Sequence, residues 1–377
     1  MEWLFQRVRD VLPKGERGGT VRIAFALALV VAASALYWAS RNTSVIAPEW
    51  DGQVRGIAYN PSHIFARRDG EEVSADLIDR DMAQLSRVTG HIRTYTVAHG
   101  MDKVPEIAAR YGLTVSLGIW IGPDLEQNEK EIELGIKTAR ANREVIDRVF
   151  VGNEAILFAF VTPDQLNAYI QRVRAALPAR IKITTAEPWS TWLLTPEIGK
   201  YVDVVSVHLL PYWEGTTARN SLDFLERAYA DVEQEFPDKP VIIGEAGWPS
   251  EGRMKNAAEP SLGNEAWFVR GFVQMAMEKG YDYYLEEAYD QPTKINNEGD
   301  VGAYWGIFDA NGNAKFTFTG AVRSFPEWRA YALVAAILTL LLGLLILGRM
   351  PRVRQPGYLM MGGLIAVVST GLLAVID

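Results

Sequence analysis

The chain has 377 residues, 49% of them hydrophobic, with a formal net charge of −8 and no cysteine. Its length suggests two or three domains, and its acidic balance excludes a nucleic-acid binder, which needs a basic face. The missing cysteines exclude disulfides and thiolate metal sites. His63, His91, His99 and His208 are dispersed without HExxH or paired-ligand spacing, so neither a metal nor another cofactor is expected.

In chain order, residues 1–22 carry Arg7, Arg9, Lys14, Arg17 and Arg22 and precede an uncharged run at 23–40. Ala33-Ser34-Ala35 resembles a signal-peptide cleavage site, but it lies inside the apolar run. The run therefore reads as an uncleaved transmembrane helix. Residues 41–327 form the next expected domain. Apolar, β-rich stretches recur there at 54–58, 92–95, 114–119, 148–151, 181–185, 202–207, 241–244 and 281–287. Helical patterns separate several of them, at 104–111, 129–142, 163–176, 222–236 and 264–279. Alternating strand and helix implies a parallel sheet, and the length is close to the ~250 residues of a (β/α)₈ barrel. A doubly wound open sheet is the alternative, weakened by the lack of GxGxxG after the first strand. Two more uncharged runs follow, at 331–348 and 357–376, around a short loop at 349–356 with Arg349, Arg352 and Arg354. Each run approaches the ~20 residues that cross ~30 Å of hydrocarbon. The positive-inside rule places residues 1–22 and 349–356 in the cytoplasm and the barrel outside it. Trp38, Trp328, Tyr331 and Tyr358 sit where interfacial aromatics belong.

A barrel gathers its chemistry at the C-terminal strand ends. The fourth strand ends in Val151-Gly152-Asn153-Glu154 and the seventh in Gly244-Glu245-Ala246-Gly247-Trp248-Pro249-Ser250. Glu154 and Glu245 would then face each other across the mouth. Glycoside hydrolysis needs such a pair, one acid to protonate the leaving oxygen and one carboxylate to attack or to activate water. Asn153 could hydrogen-bond a sugar 2-hydroxyl. Trp120, Trp189, Trp192, Tyr212, Trp213, Trp248, Tyr304 and Trp305 fall at or just after strand ends, where their rings suit glucose faces; about half are expected to be core instead.

The soluble part resembles glycoside hydrolase family 17, the β-1,3-glucanases and their bacterial glucanosyltransferase relatives. The resemblance covers about residues 52–320. It rests on Arg55-Gly56-Ile57-Ala58-Tyr59, Ile92-Arg93-Thr94-Tyr95, the two strand-end motifs above, and Glu287-Ala288-Tyr289-Asp290-Gln291-Pro292-Thr293-Lys294. Gly302-Ala303-Tyr304-Trp305-Gly306-Ile307-Phe308-Asp309 looks like the bacterial branch. The resemblance implies a retaining enzyme with Glu154 as acid/base and Glu245 as nucleophile. It also implies a sugar site drawing on Tyr59, Arg93, Tyr95, Asn153, His208, Tyr212, Trp213, Trp248, Glu287, Asp290, Lys294 and Tyr304. Three positions depart from the family. His208 stands for an Asn, Leu210-Pro211 for the Tyr-Pro of plant enzymes, and Thr293 for a frequent aromatic. The expected substrate is a β-glucan, cleaved and re-joined or branched beside a membrane glucan synthase. The expected location is the bacterial inner membrane, with the barrel in the periplasm. A catalytically inactive glucan-binding or assembly subunit of a polysaccharide synthase is the alternative, disfavoured because both glutamates are present.

Overall fold

The computed structural model describes residues 17–61 and 72–349. It divides into two compact units, one comprising Val45–Val322 and the other the described chain on either side. After the short strand β1 (Ser44–Ile46), the eight strands β2 (Ile57–Ala58), β3 (His91–Arg93), β4 (Thr114–Ile119), β5 (Ile146–Asn153), β6 (Lys182–Pro188), β7 (Val205–Leu209), β8 (Val241–Ala246) and β9 (Tyr283–Leu285) close into a barrel in chain order. Every pairing is parallel, and β9 returns to β2 through Ile57 and Leu285. The (β/α)₈ expectation holds, with each of the eight strands close to its expected place. The open-sheet alternative falls with the closure of β9 on β2.

The helices form where caps and apolar faces agree. In α4 (Leu125–Ala141), Asp124 accepts from the N–H groups of Glu126 and Gln127. In α5 (Pro163–Ala176), Thr162 and Gln165 make a reciprocal capping box, and proline stands at the start where no N–H is missed. Ser261 caps α8 (Leu262–Lys279), which stops at Gly280 with φ 72°. The helices α3 (Val104–Arg110) and α7 (Ser221–Glu235) also match expected patterns. Three helices were not foreseen: α2 (Ala75–Leu85) after β2, the short α6 (Trp189–Leu194) after β6, and the single turn α9 (Ile295–Glu298) after β9.

Three breaks in register fall near the C-terminal strand ends, at Phe150/Asn153, Val207/His208 and Ile243/Ala246. Bulges there re-aim side chains toward the mouth. Each break adjoins a residue of the site described below.

In the other unit, α1 (Arg17–Arg41) packs on α10 (Trp328–Arg349). A Cβ on Gly343 would lie 2.8 Å from a Leu27 methyl, so the missing side chain permits the close crossing. Trp38 packs on Tyr331 at 4.9 Å and on Phe325 at 5.6 Å between ring centres. The apolar runs at 23–40 and 331–348 are thus helical. Among the described residues, however, no helix is long and apolar enough to cross a membrane. The third expected span, 357–376, and most of the loop 349–356 lie outside the described residues.

Candidate active site

Strand β5 delivers Glu154 through an unusual backbone. Gly152 has φ 89° and Glu154 itself φ 54°. For a residue with a side chain that left-handed geometry is uncommon and costs energy, and such residues cluster at functional sites. It is held by the Glu154 N–H, which donates to the Ala186 carbonyl at 2.8 Å. Strand β8 delivers Glu245, with His208 of β7 in register beside it. Gly244 makes room: a Cβ there would meet Ser206 Oγ at 2.4 Å and His208 Cδ2 at 3.0 Å.

His208 bridges the two carboxylates. Its Nδ1 lies 2.9 Å from Glu154 Oε1 and 3.3 Å from Glu245 Oε2. Its Nε2 faces Arg93 Nη1 at 3.4 Å. The oxygens facing Nδ1 belong to carboxylates, which accept, so a ring proton is assigned to Nδ1. One ligating atom from each of Glu154, His208 and Glu245 lies within 4.8 Å of the others. That spacing could also hold a metal ion, but the buried guanidinium already places a positive charge on Glu245 and His208.

Arg93 organises the floor of the site. It is fully buried, and Nη1 donates to Glu245 Oε1 at 3.0 Å and to the Gly244 carbonyl at 2.7 Å. Nη2 donates to Asn153 Oδ1. The Arg93 cation also lies over the Phe150 ring at 4.4 Å and the Tyr95 ring at 5.0 Å. Burial would raise the Glu245 pKa, but the charges of His208, Arg93 and Lys294 outweigh it and hold the carboxyl below its usual range. Tyr95 is pushed well up by burial and by the Glu245 charge.

A second acidic layer lies behind Glu245. Lys294 Nζ is 3.2 Å from Glu287, 3.5 Å from Glu298 and 3.6 Å from Glu286. Burial would lower the lysine, yet Glu287, Glu298 and Glu286 together hold it well above its ordinary value. Burial pushes Glu287 up to about 8 and raises Glu286 well above its usual value, the latter reinforced by the Glu245 charge. Neighbouring buried carboxyls cannot all ionise, so negative charge concentrates on Glu245.

Other expected residues take supporting places. Tyr59 and Trp248 are fully buried, and their polar tips go to Asp81 at 3.0 Å and the Glu259 carbonyl at 3.2 Å. Tyr212 is buried with its hydroxyl on the Arg253 carbonyl at 2.8 Å. Asp290 accepts from Lys315 and the Gly306 N–H, both at 2.9 Å, and Lys315 also binds Glu265. These four side chains are buried and hydrogen-bonded within the barrel unit. Of the eight strand-end aromatics, Trp192, Tyr212, Trp248 and Trp305 are buried, whereas Trp120, Trp189, Trp213 and Tyr304 keep exposed surface.

Glu187 was not foreseen. It ends β6, and its carboxylate accepts from the N–H groups of Ile156 at 2.8 Å and Leu157 at 3.2 Å. Burial pushes its pKa up to about 8 despite those bonds, and the Glu154 charge adds to the rise. The signal was present in Ala186-Glu187-Pro188, another acid directly after an apolar strand.

The profile of the BtgE/BtgC glycoside hydrolase domain matches residues 56–306. A glucan 1,3-beta-glucosidase of Arthroderma benhamiae is 26% identical over 290 residues, spanning 69% of this chain and 93% of the relative. A glycoside hydrolase family 17 beta-1,3-glucanosyltransferase from Rhizomucor miehei is 25% identical with a TM-score of 0.62, covering 70% of this chain and 97% of that one. An active-site mutant of the Rhizomucor miehei beta-1,3-glucanosyltransferase, in complex with laminaritriose, is likewise 25% identical with a TM-score of 0.62, covering 71% of this chain and 97% of that one.

Proposed function

Since the chain belongs to the BtgE/BtgC glycoside hydrolase domain family, we propose that it is a retaining enzyme that cleaves β-1,3-glucan and passes the released chain to a second glucan. Glu245 attacks the anomeric carbon while Glu154 protonates the departing oxygen. Glu154 then takes the proton of the incoming hydroxyl as the glycosyl ester breaks. One observation carries the reading: an oxygen of Glu154 and an oxygen of Glu245 lie within 4.8 Å. A retaining pair stands ~5–5.5 Å apart, whereas an inverting pair needs ~6.5–9.5 Å to admit water. Arg93 keeps Glu245 ionised for attack. Because Asn153 Oδ1 is taken by Arg93, its amide N–H groups are left for the sugar 2-hydroxyl. The glucan substrate is supported by the similarity to a glucan 1,3-beta-glucosidase and to a beta-1,3-glucanosyltransferase in complex with laminaritriose, and transfer by the two glucanosyltransferase structures.

The same proposal places the enzyme on the bacterial inner membrane, beside a glucan synthase, with the barrel in the periplasm. Its support is the sequence, with uncharged runs at 23–40, 331–348 and 357–376, and the pairing of α1 with α10. Phe25, Leu29, Leu36, Leu333, Ile337 and Leu341 on those helices are exposed. In this reading the helices tether and the barrel reacts. Both the full chain and Val45–Val322 alone should convert laminari-oligosaccharides into longer and shorter products, read by mass and linkage analysis. If only the full chain turns over, the helices contribute to the site; if neither does, the proposed activity fails.

A further inference from the structure

The turn that carries Glu154 is held from outside itself. Between Glu154 and Phe160 two residues with side chains adopt the left-handed conformation, Glu154 with φ 54° and Ala159 with φ 52°. Such geometry persists only where the surroundings fix it. Within the turn, the Phe158 N–H donates to the Glu154 carbonyl and the Phe160 N–H to the Ala155 carbonyl, both at 3.0 Å. The N–H groups of Ile156 and Leu157 find their acceptor in β6. Glu187 Oε1 accepts from Ile156 at 2.8 Å and Oε2 from Leu157 at 3.2 Å, and the preceding residue, Ala186, accepts from the Glu154 N–H. Two consecutive residues of β6 therefore grip the chain before and after the Glu154 side chain. A hydroxyl or amide side chain ordinarily satisfies free N–H groups of this kind. Here the acceptor is a fully buried carboxyl, pushed up by burial and by the Glu154 charge, a costly choice for stability alone.

We infer that Glu187 is a positioning residue for the proposed acid/base: its two oxygens fix the turn, and with it the left-handed backbone from which the Glu154 carboxyl reaches the site. The inference rests on Glu154 being the acid/base. Glu187 is closed off from solvent and its oxygens are committed to the backbone, so it touches neither the sugar nor the reacting atoms. It acts through Glu154. In the first half-reaction the Glu154 proton passes to the glycosidic oxygen, the bond from that oxygen to the anomeric carbon breaks, and an oxygen of Glu245 bonds to the carbon. The proton moves only across a hydrogen-bonding distance, and a displacement of about 1 Å can cost about 10²-fold in rate. His208 fixes the far end of the same side chain through its 2.9 Å contact with Oε1, so the acid is held at its carboxyl and at its backbone. A negative charge at Glu187 also disfavours a second one at Glu154, which favours the protonated form that this step requires.

The test reads leaving-group dependence. The full chain in detergent is assayed with aryl β-laminaribiosides whose phenols differ in acidity, and kcat/KM for phenol release is plotted against phenol pKa. A well-placed acid keeps that slope shallow, because it supplies the proton that a poor leaving group needs. Glu187→Gln keeps the length of the side chain but sets its NH₂ against one of the two N–H donors. Glu187→Asp keeps both oxygens but draws them back by one methylene. In each, the least acidic phenol should lose about tenfold more than the most acidic, a part of the about 10²–10⁴-fold that proton donation supplies. A side chain that only stabilised the barrel would lower every rate by one factor and leave the slope as in wild type. Folded variants with the wild-type slope would therefore overturn the positioning role and leave the retaining mechanism standing. So would two variants that circular dichroism shows to be unfolded, since Glu187 would then be a determinant of folding. Wild-type protein that releases no phenol from any donor would overturn both.

Discussion

A Glu245→Gln protein should form no glycosyl-enzyme from any glucoside, and turnover should fall by about 10⁶-fold, the scale of losing a covalent nucleophile. An amide oxygen does not attack an anomeric carbon, so an activated leaving group cannot rescue it. The surroundings make the loss specific. Arg93, His208 and Lys294 all stabilise a negative charge at this position, and the substitution removes that charge while keeping the shape. It also leaves a fully buried guanidinium with one anionic partner fewer, so some loss of thermal stability is expected. Intact-protein mass spectrometry after incubation with an activated donor separates the two effects. A folded protein that still gains the mass of a glycosyl group would remove Glu245 from the nucleophile role.

A Glu154→Gln protein should fail differently. Proton donation is typically worth about 10²–10⁴-fold, and that loss should appear in full on natural glucan, whose leaving sugar needs the proton. On an aryl glucoside the leaving phenol needs little help, so the ester to Glu245 should still form and accumulate. Added azide, which needs no base, should resolve it and release a glycosyl azide. If both carboxylates were only structural, activity would instead fall in step with melting temperature on every substrate. Equal losses on activated and natural substrates in a folded Glu154→Gln protein would rule out acid/base catalysis.

Most of the barrel was legible because a parallel strand buried on both faces reads as a continuous apolar run. The stretches at 114–119 and 241–244 lie within β4 and β8. The strand at 54–58 was overextended: only Ile57–Ala58 pairs regularly. Helix α2 escaped because one of its buried positions is charged. Ile78, Asp81, Met82 and Leu85 fall on one face, and Asp81 is there to receive the Tyr59 hydroxyl. The two carboxylates were legible because each ends an apolar strand in a distinctive motif. The bridge at His208 was not, since it depends on β7 lying beside β8, with a register shift at Val207/His208 that local pattern does not encode. The partner of Asp290 was not legible for a similar reason: Lys315 stands 25 residues further along the chain. Aromatic residues carried the least information, since the same ring serves a sugar cleft or a core. Trp213 stacks on buried Trp305 at 6.1 Å and keeps some exposed surface, while Trp248, equally near a strand end, keeps none.

In the proposed mechanism Glu154 and Glu245 work as a retaining pair. Proton NMR of the first-formed product from an aryl β-laminaribioside tests it most directly, because the anomers can be read before they equilibrate. Double displacement predicts that the β-anomer appears first and the α-anomer only later, through mutarotation. An α-anomer formed first would mean single displacement by water, and would contradict both the nucleophile assigned to Glu245 and the short separation on which the reading depends.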